Sequence, residues 1–299
     1  MLGTPTVFAD AIEQRYPIQT ILLDANRQLG RCFPRSISWN KFIWCEITTQ
    51  TLPILTGGVI IADPPWYPEY VRMFLWAASE LCMLGGTLFL SFPPIGTRPG
   101  VDQEWVEAVD WARQLGFELS EVRKMSLKYS SPMFEQKALL AEGFANIRDW
   151  RSGDLAVFHR AKLASMPKPS MPIQVDQWVD DNEYGIRVKM KDNGKCFRDP
   201  SLISLLPGDV LTSVSRRDPR RDLADVWTSS NRIFVCHGPN LLCRILRATI
   251  YNLPVQKEVS EYLMRELNAN ESALVQKAVR QTQRLVRAEE KDKVAFRNA

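Results

Sequence analysis

The chain has 299 residues, 45% of them hydrophobic and 24% charged, with a formal net charge of +4. Those values allow one large or two medium domains of ordinary globular material, and the charge is too small to demand a polyanionic partner by itself. Cys32, Cys45, Cys82, Cys196, Cys236 and Cys243 lack any Cys-x-x-Cys spacing, His159 and His237 are the only histidines, and no apolar run reaches membrane length, which argues against a disulfide frame, a His- or Cys-based metal site and a membrane span. With no signal-peptide pattern at the start, a cytoplasmic protein is expected.

In chain order, Gly3-Thr4-Pro5 is a turn leading into a helical pattern with Val7, Phe8, Ala11 and Ile12. Gln19 to Arg27 reads as an apolar strand ending at Asp24, with a loop over Phe33 to Ser36 and a third strand over Lys41 to Ile47. Val59 to Ile61 read as a buried strand, because the run is β-branched and lacks alternation. That strand must stop at Asp63, since Pro64 and Pro65 have no N–H to give a ladder. Asp63 therefore lies at the carboxyl end of a strand, where open α/β sheets place their ligands.

The residues after that strand suit recognition of a flat, weakly nucleophilic amine. A carboxylate on Asp63 and a carbonyl on Pro64, fixed by the prolines, would both accept hydrogen bonds from an NH2 group. This would localise its lone pair, while Trp66 or Tyr67 would offer a face for stacking. A turn made for packing alone is the competing reading.

Downstream, Glu69 to Leu84 is helical, with Val71, Phe74, Leu75, Ala78 and Leu81 on one side and Gly85-Gly86 as its stop. Thr87 to Phe92 is a further buried strand, which completes a βαβ unit, and Ile95 to Gly100 is a loop that would border the cleft. Glu104 to Leu115 is an amphipathic helix with Trp105, Val106, Val109 and Ala112 at helical intervals. Gly116 turns into a segment from Glu118 to Met125, and Lys128 to Glu135 reads as a substrate-side loop. Asp154 to His159 is the last strand of this region, with His159 a strand-end polar residue.

Asp63-Pro64-Pro65-Trp66 resembles the catalytic motif of the S-adenosylmethionine-dependent amino-methyltransferases, Asp/Asn-Pro-Pro-aromatic. The Trp form is similar to that of the adenine-N6 methyltransferases, although related lysine methyltransferases carry a similar turn. The resemblance runs to His159. It implies a Rossmann-like doubly wound sheet with S-adenosylmethionine as cofactor and Asp63, Pro64, Pro65 and Trp66 as catalytic residues. It also implies that Gly3 lies against the cofactor, that Asp24 takes its ribose, that Asp63 borders it, and that the last strand is antiparallel. A strand should precede Gly3, and too few residues stand there to build one. The chain start is accordingly read either as truncated or as leaving a reduced cofactor cleft.

Residues 1–163 are thus expected to form the methyltransferase-like α/β domain, with a linker over 164–172, a β-rich accessory module over 173–250 and helices over 251–299. Strands are expected at Gln177 to Val179, Ile186 to Met190, Ile203 to Leu206, Asp209 to Ser213 and Arg232 to Cys236, and helices at Val255 to Leu267 and Glu271 to Arg287. The last carries a stripe of Val275, Val279, Thr282 and Val286, opposite a basic face. Arg216, Arg217, Arg220 and Arg221 surround one Asp-Pro turn and, with Tyr67, are the expected substrate contacts, the arginines meeting nucleic-acid phosphates. The preferred reading is methyl transfer to an exocyclic amine such as adenine N6 in DNA or RNA. Protein lysine or glutamine methylation and a non-catalytic nucleic-acid-binding scaffold on the same fold are the alternatives.

Overall fold

A computed structural model describes the chain except residues 16, 28, 34–39, 145–150, 173–176, 182–183, 192–193, 216–217 and 299, and the side chains of 181, 297 and 298. The loop expected over Phe33 to Ser36 and the arginines at positions 216 and 217 fall wholly or largely outside the described residues. The chain divides into two compact units, one of Met1–Tyr129 with Arg151–Ile173 and one of Ser130–Trp150 with Gln174–Ala299.

The first unit is a Rossmann-like α/β sheet. Its elements in order are α1 (Pro5–Glu13), β1 (Thr20–Asp24), α2 (Leu29–Cys32), β2 (Asn40–Trp44), β3 (Gly57–Ala62), α3 (Pro68–Leu81), β4 (Cys82–Phe92), α4 (Val101–Gln114) and β5 (Phe117–Tyr129). After α5 (Met133–Ala141), which belongs to the second unit, β6 (Arg151–Arg160) returns to this sheet. β1 pairs in parallel with β2, and β3 with β4, while β6 lies antiparallel between β4 and β5, as the resemblance implies.

Met1 to Gly3 run between β1 and β3 in the sheet. Leu2 forms parallel bridges to both Leu23 and Ala62. Its N–H donates to Ile61 at 2.8 Å, its carbonyl accepts from Asp63 N–H at 3.2 Å, and Gly3 N–H donates to Leu23 at 3.0 Å. The resulting lateral order is β2, β1, Leu2, β3, β4, β6, β5. The core beneath it holds Leu2, Leu23, Ile60, Ala62, Leu75 and Leu88.

Three local expectations are corrected. Val59 is 57% exposed, so β3 buries Ile60 and Ala62 rather than the whole run; β-branched residues favour strands whether or not both faces are covered. Helix α3 stops at Leu81, because Cys82 is already extended and opens β4. The double glycine instead sits in an irregular part of β4, where Gly85 has φ +77° and a Cβ on Gly86 would stand 2.9 Å from the Gly58 carbonyl. In α4 the buried residues are Val101, Trp105, Ala108 and Ala112, and Val106 is exposed.

The second unit carries an antiparallel sheet in the order β7 (Gln177–Asp181), β8 (Ile186–Met190), β10 (Val226–Thr228), β11 (Ile233–Val235), β9 (Ile203–Ser204). Asp209 to Ser213 contributes one bridge, Val210 to Arg232, rather than a strand. Helices α6 (Pro219–Asp222), α7 (Pro239–Ile250), α8 (Val255–Leu263) and α9 (Ala269–Asn298) complete it. Helix α7 is absent from the sequence reading, although Pro239 stands at its first turn and Leu241, Leu242, Ile245 and Leu246 repeat at helical spacing. Its apolar side packs with Val226, Phe234 and Leu285 or with Val259 and Val275.

Gly116 joins α4 to β5 with φ +88°, its carbonyl accepts from Ala161 N–H at 3.0 Å, and a Cβ there would lie 2.1 Å from the Lys162 carbonyl oxygen. Gly116→Ala is therefore expected to destabilise the first unit by about 2 kcal/mol or more, read as a fall in Tm on thermal unfolding; an unchanged Tm would contradict this packing.

Candidate active site

Gly3, Asp24 and Asp63 stand where Met1 to Gly3, β1 and β3 leave the sheet at their carboxyl ends. Gly3 has φ +63°, and a Cβ on it would meet the Phe74 ring at 3.3 Å and the Asp63 carbonyl at 3.5 Å. A backbone so placed suits glycine alone. Asp24 Oδ1 accepts Asn26 N–H at 2.7 Å. Burial raises the Asp24 pKa, the Asn26 N–H opposes that, and the nearby Glu46 charge adds to it. The structure thus brings the three expected cofactor residues to one sheet edge.

Asp63 is half-buried, and its Oδ1 is the end of a hydrogen-bond chain with only one consistent direction. An indole N–H can only donate and a carboxylate can only accept. Trp66 Nε1–H therefore donates to Ser91 Oγ at 3.3 Å, and the Ser91 hydroxyl donates to Asp63 Oδ1. The Tyr129 hydroxyl donates to the same oxygen at 3.0 Å. Among the described residues no donor reaches Asp63 Oδ2. Burial raises the Asp63 pKa, while the Ser91 and Tyr129 hydrogen bonds and the Arg151 charge pull the other way. Burial together with the Asp63 charge drives the Tyr129 phenol strongly upward, so it remains a donor.

Pro64 is buried, Tyr67 N–H donates to the Pro65 carbonyl at 2.7 Å, and Pro68 opens α3 directly after the turn. Arg98, from the loop after β4, donates to the Trp66 carbonyl at 2.6 Å and pairs with Glu104 at 2.6 Å. Its guanidinium carbon lies 5.9 Å from the Tyr67 ring centre. The loop from Ile95 to Gly100 thus ties the motif to α4.

The expectation that Trp66 presents a face to substrate is corrected. Its side chain is 8% exposed, edge-on to Tyr129 at 5.3 Å, with the Arg151 guanidinium 4.3 Å from its ring centre. A Cβ on Gly153 would stand 2.8 Å from the indole and 2.9 Å from the Tyr129 ring, so only glycine leaves room for both. Trp66 serves as internal packing, because burying an indole with its N–H satisfied is favourable. Tyr67 is only half-buried.

The basic cluster in the second unit also departs from expectation. Arg221 is 7% exposed, donates to the Ser213 and Ser215 carbonyls and to Asn231 Oδ1, and lies over the Trp227 ring. It holds the loop together and does not face solvent. Arg220 binds Asp218 through two hydrogen bonds of 2.9 and 2.7 Å, which hold the Asp218 carboxyl well below the usual range. Its charge is thereby compensated. The substrate-side loop expected over Lys128 to Glu135 is corrected, since Lys128 and Tyr129 close β5 and Met133 to Glu135 open α5. Sequence reasoning missed Ser91 and Gly153, which join Tyr129 at the site only through strand pairing across the sheet.

No family model matches the chain, and no curated protein matches it. Among solved structures it is similar to the branched-chain polyamine synthase from Thermus thermophilus in complex with N4-aminopropylspermidine and 5'-methylthioadenosine, at 14% identity and a TM-score of 0.48, over 58% of this chain and 53% of that one. It is also similar to an S-adenosylmethionine-dependent methyltransferase from Mesorhizobium loti, at 14% identity and a TM-score of 0.33, over 53% and 88%. A methyltransferase from Pyrococcus furiosus matches at 14% identity and a TM-score of 0.36, over 54% and 74%. The chain spans about half the length of the polyamine synthase.

Because burial raises the Asp63 pKa in the folded state, the native protein holds the extra proton between the unfolded and folded pKa values. Stability is then greatest below the unfolded value and falls as pH rises through that window. Asp63→Asn removes this dependence, and its Tm relative to wild type is expected to rise from pH 4 toward neutrality and then level off. A pH-independent difference would contradict the desolvated carboxylate.

Proposed function

We propose that the first unit transfers a methyl group from S-adenosylmethionine to an exocyclic amine, with adenine N6 of DNA or RNA as the acceptor. The observation that carries this reading is Asp63 at a strand's carboxyl end, with Oδ1 held by Ser91 and Tyr129 and Oδ2 left without a donor among the described residues. The residues fit the cofactor: Gly3 holds a positive φ that strains any side-chain-bearing residue and so keeps bare backbone at the strand ends, and Asp24 offers a carboxylate at the end of β1 for ribose hydroxyls. When bound, S-adenosylmethionine supplies a methyl carbon activated by its sulfonium.

The work of this chain is orientation. Asp63 Oδ2 and the Pro64 carbonyl accept hydrogen bonds from the amine, which draws its lone pair out of conjugation with the ring. Tyr67 packs on the base. A carboxylate fixed by two donors needs little reorganisation as positive charge develops on the amine. Single-stranded substrate avoids the few kcal/mol needed to flip a base from a duplex. The burial of Trp66 removes one stacking face, and this favours protein lysine or glutamine methylation as the second reading.

Asp63→Ala is expected to abolish methyl transfer to adenine-containing oligonucleotides in a radiolabelled-methyl assay while the protein remains folded. Full activity in this variant would remove the central claim, and transfer to peptides alone would favour the second reading. Asp24→Ala is expected to weaken S-adenosylmethionine binding by about 1.5–3 kcal/mol, the scale of lost hydrogen bonds to a charged group. Calorimetric titration measures it, and unchanged affinity would mean that the ribose is bound elsewhere.

A further inference from the structure

Helix α9 carries a cationic surface distinct from the Asp-Pro arginine cluster. Lys277, Arg280, Arg284, Arg287 and Lys291 are all exposed and follow one another at intervals of three or four residues. That spacing places them on one side of an α-helix, along about 21 Å of its axis. Val275, Ala278, Thr282, Leu285, Glu289 and Asp292 are buried, and their spacing places them on the opposite side. The helix acids that the structure pairs are Glu271 with Arg265, Glu289 with Arg232, and Asp292 with Arg232 and Lys137. None of the five stripe cations has an ion pair among the described residues.

We infer that this stripe binds the phosphate backbone of a nucleic acid, an inference that rests on the nucleic-acid substrate proposed above and names the surface that holds it. A row of cations on one continuous helix, without ion pairs among the described residues, suits a polymer of regularly spaced negative charges, because neutralising phosphates releases condensed counterions. Three of the five are arginines, whose forked donors match phosphate oxygens. A membrane surface fits less well. An interfacial helix must bury its apolar face in lipid, and the apolar face of α9 is already in the core of the second unit. The contacts are to the backbone, so the stripe supplies affinity and register and leaves base identity to the cleft.

The test compares full-length wild type with a variant combining Arg280→Gln, Arg284→Gln and Arg287→Gln, chosen because glutamine keeps helix propensity. A control removes equal charge through Lys124→Gln, Lys162→Gln and Lys257→Gln, which are exposed residues outside the stripe. Binding to single- and double-stranded oligonucleotides is measured by fluorescence anisotropy across a salt series. Wild type and control are expected to show the same steep salt dependence, and the arginine variant to lose about two to three units of log–log slope, at roughly 0.7 to 0.9 per phosphate contact. Equal losses in variant and control would overturn the assignment, as would an unchanged slope in the arginine variant. Binding to phosphatidylserine vesicles without binding to either oligonucleotide would also overturn it. Wild type that binds oligonucleotides through the stripe but transfers no methyl group overturns the proposed reaction and leaves this surface standing.

Discussion

The candidate site depends on keeping one carboxylate charged where the sheet has partly taken it out of water. Burial works against the Asp63 charge, and Ser91 and Tyr129 work for it. Each participant comes from a different strand end: Asp63 follows β3, Ser91 lies on β4, Tyr129 closes β5, and Arg151 and Gly153 open β6. The register that pairs Tyr129 with Arg151 and Ser91 with Leu155 sets these groups side by side. A slip of one residue in either pairing would turn the hydroxyls to the opposite face of the sheet. The geometry of the carboxylate is therefore a property of the whole sheet rather than of the motif that contains it.

The second unit also contains buried charge, but arranged differently. Glu289 and Asp292 share Arg232 at 2.6 and 2.7 Å, Lys137 pairs with Asp292, and Ser230 N–H donates to Glu289 at 3.0 Å. Such a network adds little net stability over apolar packing, yet removing one member would leave a desolvated charge. Its effect is to fix the rotation of α9 about its own axis. The same constraint decides which residues of α9 face outward.

Much of the first unit was legible in the sequence because its signals are local. The prolines after Asp63 end a strand wherever they stand, and Val71, Phe74, Leu75, Ala78 and Leu81 mark the buried face of α3 through their spacing alone. The glycine turn, Asp24 and Asp63 could be placed at strand ends for the same reason. What remained hidden depends on partners distant in the chain. Ser91 lies 28 positions from Asp63 and Tyr129 lies 66, and no pattern of spacing joins them. Trp66 illustrates the converse, since an aromatic beside a strand-end Asp-Pro-Pro turn is equally suited to touching a ligand or to filling the core, and Gly153 leaves the room for the second. Likewise, four arginines around a turn read alike in sequence, whereas Arg221 satisfies backbone carbonyls and Arg220 its neighbouring aspartate.

The chain does not finish its first unit before beginning its second: Ser130–Trp150 leaves from β5, belongs to the second unit, and returns to β6. Lys137 in this excursion finds its partner in Asp292, 155 positions later by their numbering. During synthesis, which proceeds from the N-terminus and lets completed units fold first, the sheet of the first unit can close as soon as β6 emerges. The excursion must then wait, already tethered at both ends, until Asp292 has been made. A ribosome that stopped after the first unit would release a completed α/β sheet carrying a helix whose Lys137 has no Asp292 to meet.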